Sequence, residues 1–155
     1  MTDEPMSAAT PGDLASRGTA QSAALGFQNA AGACAMRAPF RPDLVGDPAL
    51  GGLAGGVITT LLDQTCGMAV SLAVRALQGG TAGSERRFGT MATLDFRIDF
   101  VRAARAGRDV IGVADCYQVA GGVAFVRGWA YEDDSEDPIA AAQAAFMLTD
   151  LPPGA

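Results

Sequence analysis

The sequence contains no histidine and no lysine; all eleven basic residues are arginine. Without histidine, neither a Ser-His-Asp triad nor a Cys-His pair can be assembled within the chain, and the histidine-containing zinc sites are excluded as well. Basic runs and stripes are missing too. With a net charge of -6, nucleic acid is not an expected partner, and an anionic ligand would have to be met by locally placed arginines. Cysteine is scarce. Cys34, Cys66 and Cys116 are widely spaced, odd in number and form no C-x-x-C pair, as expected of reduced, buried thiols in a cytoplasmic protein. Residues 1–12 lack a basic n-region and an apolar h-region, so no signal peptide is read there. The least charged stretch, Pro48 to Val74, is rich in glycine and threonine and has Asp63 in its middle. That composition argues against a membrane span, and no membrane partner is expected.

What is present is a 155-residue chain with 49% apolar residues, enough for one domain with its own core. Residues 1–22, rich in Ser, Thr, Ala, Gly and Pro, read as a flexible tail with a short helix starting near Asp13. Residues 23–150 read as the domain and residues 151–155 as a C-terminal tail. Phe27 to Phe40 suits a first strand and its exit loop, ending in Pro39 and Pro42. Gly51, Gly52, Gly55 and Gly56 then mark a tight turn. From Val57 to Leu77 the chain is apolar on almost every face, which predicts a buried helix, capped near Gln78-Gly79-Gly80.

The second half predicts strands. Thr93 to Phe100 alternates polar and apolar residues without error. Ala106-Gly107-Arg108 is a turn, and Val110 to Val119 is apolar on both faces. Ala120-Gly121-Gly122 connects a hairpin to Ala124–Tyr131, a strand with Phe125, Trp129 and Tyr131 on one face. Asp133 to Pro138 is a charged turn. In Ile139 to Thr149 the alanine content favours helix, whereas the antiparallel context favours a last strand; it is read as a strand. The expected fold class is α+β.

Asp63 is the chemical anomaly. It is the only charged residue between Asp47 and Arg75 and lies about two turns into the apolar helix. Burial without partners raises a carboxyl pKa and poises the group as base or nucleophile. The alternative is structural, with Asp63 facing a polar interface or accepting a Thr or Gln hydrogen bond. The Gly55-Gly56 turn offers free N–H groups at a helix start, where a developing oxyanion can be held; the alternative is an ordinary glycine turn. Arg102, Arg105 and Arg108 follow the alternating strand, and Arg86 and Arg87 precede it. Arg87, Arg102 and Arg105 are the candidate phosphate-binding cations, because guanidinium forks suit phosphate. Taken singly, each reads equally as a solvated surface charge. No metal site is read.

The series Gly51-x-x-Ala54-Gly55-Gly56-Val57-x-x-x-Leu61-x-Asp63-x-x-x-Gly67, followed by Leu94-Asp95-Phe96-x-x-Asp99-Phe100-Val101-Arg102-Ala103-Ala104-Arg105-Ala106-Gly107, resembles the phenylacetic-acid-degradation (PaaI-like) branch of hotdog-fold acyl-CoA thioesterases. The resemblance extends roughly from Ala24 to Leu148. It implies a hotdog fold, an antiparallel sheet wrapped around one long helix. It also implies a homodimer or dimer of dimers with its sites at the interface. Asp63 would be nucleophile or general base, the Gly55 N–H would polarise the thioester carbonyl, and Thr93 would help to place water. Asp63 and Gly55 would come from opposite subunits, and Ala54 and Gly56 would border the substrate. No cofactor is implied beyond the coenzyme A of an acyl-CoA-type substrate. The sequence departs from the family at Ala54, where histidine is common, and at Pro48, where a polar residue is usual. Three readings follow: an acyl-CoA thioesterase, a non-catalytic acyl-CoA or lipid-like ligand-binding protein, and a structural dimer module. Hotdog dehydratases are disfavoured, since they rely on a histidine this chain lacks.

Overall fold

The computed structural model describes residues 34–77 and 91–149, together with Leu25 and the backbone of Gln28–Asn29. The expected N-terminal tail and its short helix, the glycine cap at Gln78-Gly79-Gly80, Arg86, Arg87 and the C-terminal tail lie outside the described residues. The elements are β1 (Gln28–Asn29), β2 (Ala35–Ala38), a 3₁₀ turn (Pro42–Leu44), α1 (Gly55–Leu77), β3 (Met91–Phe100), β4 (Val110–Ala120), β5 (Val123–Tyr131) and β6 (Ala140–Leu148). All strand pairs are antiparallel, in the order β1-β2-β4-β5-β6-β3. Among the described residues β3 therefore stands at a sheet edge.

The sheet curls around α1, which packs on β4, β5, β2 and β6. Val57, Ile58, Leu61, Leu62, Thr65, Cys66, Ala69, Val70 and Val74 form its buried stripe. Even-numbered positions of β5 and β6 meet this stripe: Ala124, Val126, Ala130, Ala140, Ala142, Ala144 and Phe146 are all buried. Gly112 permits the close approach of helix and sheet, since a Cβ there would lie 3.0 Å from Thr65 Oγ1 and 3.1 Å from Leu61 Cγ. Two bulges, at Thr93/Asp95 and Cys116/Gln118, adjust the register and add local twist.

Most expected elements are found, with three differences. The helix begins at Gly55 rather than Val57, because Ala54 O accepts the N–H groups of Val57 (3.0 Å) and Ile58 (3.2 Å) and draws both glycines into the first turn. It is buried on one face only. Leu72 is 42% and Leu77 70% exposed, so the helix, apolar all round in composition, keeps a face that the described residues do not cover. The first strand of the main ladder is shorter than expected, Ala35–Ala38. Helix α1 is long and apolar enough to cross a membrane by composition, but its buried stripe is the core of the sheet. β6 is a strand despite its alanines: it is paired along its length by β5 on one side and β3 on the other, and this tertiary pairing overrides local propensity. Phe125, Trp129 and Tyr131 do share a face, the outer one. There Arg127 sits over the rings of Tyr117 (5.8 Å) and Trp129 (5.9 Å) and pairs with Asp115 at 3.1 Å.

Candidate active site

The helix N-terminus is assembled by the glycine turn. The Ala54 N–H donates to Leu44 O (2.9 Å) and its carbonyl caps the first turn. Gly55 and Gly56 follow, exposed, and their N–H groups meet no acceptor among the described residues. These are two of the orphan donors every helix start presents, backed by the helix dipole. A Cβ on Gly55 would lie 3.4 Å from the Phe100 ring, whereas nothing lies within 4 Å of one on Gly56. Beside them opens a cavity of about 190 Å³. Its lining includes Leu50, Leu53, Ile58 and Phe100, together with Gly55 and the Arg102–Ala104 wall.

Asp63 is half-buried on α1, and its carboxylate has no hydrogen-bond or ion-pair partner among the described residues. The hydroxyls nearby are already committed. Thr59, Thr60 and Thr65 each donate to the carbonyl four residues earlier, at 2.9, 2.9 and 2.7 Å, as hydroxyls in apolar helices often do. Burial pushes the Asp63 carboxyl above its ordinary value. Cys66 is held protonated: burial, reinforced by the Asp63 charge, pushes its thiol up to about 12. Burial likewise pushes Cys34 up to about 11. Burial raises the Cys116 thiol as well, so none of the three is poised as a thiolate by its surroundings. All three cysteines are free, and only Cys66 is fully buried.

Thr93 lies on β3 opposite buried Phe146, so its side chain points to the helix side of the sheet. β3 runs past α1 in the opposite sense: Phe100 reaches Gly55 and the Met91 methyl reaches Gly67. These two contacts bracket Asp63. Thr93 itself is exposed, two residues from Met91 on β3, and Asp63 lies one helical turn before Gly67 on α1. The structure does not bring Asp63 and Gly55 of one chain together. Eight residues separate them, a rise of about 12 Å along the helix.

Arg102 and Arg105 are held elsewhere. Arg102 Nη1 meets Glu132 Oε2 at 3.0 Å and Ala103 O at 3.1 Å; its Nε meets Asp137 Oδ1 at 3.0 Å and its Nη2 meets Asp137 O at 2.8 Å. Arg105 contacts Glu132 at 3.3 Å and Asp137 at 2.7 Å while 53% of its side chain stays exposed. Glu132 was not singled out by the sequence, which reads there as the start of an acidic run. A signal existed: β5 buries its even-numbered positions, and 132 continues that parity.

An antiparallel sheet curled around one long helix, with a glycine-rich helix start and a lone helical carboxylate, defines a hotdog-fold protein. The thioesterase superfamily model matches residues 50–139, more than half of the chain. The chain belongs to the thioesterase superfamily. A solved Pseudomonas aeruginosa protein is 34% identical, with 84% of this chain and 93% of that one covered and a TM-score of 0.66. A Bacillus halodurans protein solved with CoA is 23% identical over 88% of this chain and 82% of that one, at a TM-score of 0.64. The phenylacetic acid degradation protein PaaI of Thermus thermophilus, solved as a mutant, is 21% identical over 83% and 97%, at a TM-score of 0.60. The PaaI-like hotdog fold expected from the sequence is thus the fold found. No curated protein sequence matches significantly.

Proposed function

We propose that the protein hydrolyses an acyl-CoA thioester at a site shared by two copies of the chain. The observation that carries this reading is the half-buried Asp63 carboxylate, without a partner among the described residues. Such a carboxylate is a competent proton acceptor. Asp63 takes a proton from water, whose oxygen forms the new bond to the thioester carbon. The carbonyl electrons move onto oxygen, where the Gly55 N–H, flanked by that of Gly56, stabilises the charge. The C–S bond then breaks, and the thiolate of coenzyme A leaves and takes up a proton. Direct attack by Asp63, followed by hydrolysis of the anhydride, uses the same groups. Thr93 orients the water.

The helix rise of about 12 Å between Asp63 and Gly55 suits a site completed by a second copy, as the resemblance implies. The open edge of β3, with Leu94 55% and Phe100 49% exposed, suits pairing with its own copy into a continuous sheet. The CoA seen in the Bacillus halodurans relative supports the ligand class. Arg105 retains free donors for a phosphate and Arg87 remains a candidate, whereas most donors of Arg102 are spent. The free cysteines support a cytoplasmic setting. Ala54 favours a second reading, a non-catalytic acyl-CoA-binding protein, because its only N–H is spent on Leu44 and it offers the substrate no polar side chain.

Hydrolysis of a panel of acyl-CoA thioesters by the unaltered protein and by Asp63→Asn tests the proposal. Turnover that drops by about 10²–10⁴ in the variant is expected. Wild-type turnover in Asp63→Asn removes Asp63 from the mechanism. Tight acyl-CoA binding with no hydrolysis by either protein establishes the second reading.

A further inference from the structure

The segment that follows β3 is tied down by a carboxylate that the proposed reaction does not use. Glu132 comes directly after β5, and its side chain is completely buried, at 0% exposure. Its Oε2 meets Arg102 Nη1 at 3.0 Å and Arg105 Nη1 at 3.3 Å, and its Oε1 accepts the backbone N–H of Arg105. Asp137, from the acidic turn, closes the ring by holding the other arms of both arginines. Two guanidinium groups thus balance two carboxylates. A carboxylate is retained in such a place only when its partners compensate for the water it has lost.

The tied segment is a wall of the cavity. Arg102, Ala103 and Ala104 line it opposite Leu50, Leu53 and Gly55. Ala104 also presses on the glycine turn: its carbonyl oxygen would lie 2.0 Å from a Cβ on Gly52. Gly52 leads through Leu53 and Ala54 into the helix start that carries the oxyanion donors. A continuous chain of contact therefore runs from Glu132, through Arg102 and the Arg105 amide, to the pocket beside Gly55.

We propose that Glu132 is a positioning residue of the site. It fixes the Arg102–Ala104 wall against the Gly51-Gly52 turn, sets the width of the largely apolar pocket beside the helix N-terminus, and so selects the acyl group by size. This rests on the thioesterase reading. In this role Arg102 shapes the pocket and is not a phosphate ligand.

The test uses the full chain with acetyl-CoA, hexanoyl-CoA and benzoyl-CoA. Glu132→Gln preserves size and an acceptor for the Arg105 amide but removes the charge that holds both guanidinium groups. Arg102→Lys is the second variant, in case the first does not fold; it keeps the charge but not the fork. In either variant the ratio of KM values between the bulky thioesters and acetyl-CoA is expected to shift by about tenfold. A merely structural role would lower kcat for all three substrates in the same proportion and leave the KM ratio unchanged; that result overturns the proposal. If the unaltered protein hydrolyses none of the three, the thioesterase reading fails on its own. The positioning role is then read from calorimetric Kd values for the same compounds, and an unchanged Kd ratio in the variants overturns it.

Discussion

Gly52→Ala is the sharpest test of how tightly the pocket wall is clamped. The added Cβ would fall 2.0 Å from Ala104 O, 2.7 Å from Ala104 C and 3.1 Å from Ala104 Cβ, whereas real Cβ atoms stay beyond about 3.0 Å. One backbone must retreat by about 1 Å, and neither is free to do so. Gly52 O accepts the Gly46 N–H at 3.2 Å. Ala104 is buried, and its neighbour Arg105 is fastened to Glu132 through the main chain. Overpacking that cannot be relieved by a side-chain rotation lies at the upper end of the usual 1–3 kcal/mol, so a loss of about 3 kcal/mol is expected. For a chain of this size that amounts to roughly 6–12 °C in Tm. The comparison must be made by thermal melts at one fixed protomer concentration, since an oligomer's Tm depends on it. Gly56→Ala serves as the stability control: nothing lies within 4 Å of its Cβ, and alanine in a helix is favoured over glycine by up to about 1 kcal/mol. A Gly52→Ala protein that melts within about 2 °C of the unaltered one would refute the clamp and, with it, the rigid wall on which pocket width depends.

Three further outcomes are expected. Because the folded state raises the Asp63 pKa by burial, the group favours folding only while protonated, and that contribution is lost as pH rises through the raised value. Asp63→Asn should therefore melt higher than the unaltered protein at pH 7, with the difference fading on acidification; kcat/KM of the unaltered protein should rise with pH to a midpoint above the ordinary 3.8. A lower melt for Asp63→Asn at pH 7 would contradict a desolvated, partnerless carboxylate. Light scattering should give at least twice the 15.7 kDa chain mass, whereas a stable monomer at micromolar concentration sinks the shared site. Ala54→His should raise kcat/KM by about tenfold by restoring one polar contact used in the transition state, since position 54 borders the open cavity; unchanged kcat/KM in a variant that melts like the unaltered protein would show that the position no longer meets the substrate.

The parts of this molecule that were legible in the sequence are those decided locally. The strand over Thr93–Phe100, the paired glycines of the β4–β5 hairpin and the glycine-to-helix transition are set by residues close to one another in the chain, and each is found, the helix starting two residues earlier than expected and the strand carrying a bulge at Thr93/Asp95. Asp63 was visible for the same reason: a charge within an apolar helix stands out against its immediate neighbours. Two features were hidden because distant residues decide them. The open face of α1 depends on which side the sheet covers, and a composition apolar all round does not report that. Glu132 disappears into an acidic run, although its companions Asp133, Asp134 and Glu136 are exposed. Its burial follows from strand parity and from two arginines roughly thirty positions earlier. The buried carboxylate and the half-buried one therefore separate by their partners. Glu132 is neutralised by guanidinium groups and cannot act as a base without breaking the wall it holds. Asp63 has no such partner, in a chain without histidine and with its thiols held protonated. Burial raises its carboxyl above the ordinary value with nothing among the described residues to offset it, and the chemistry proposed for the site follows from that asymmetry.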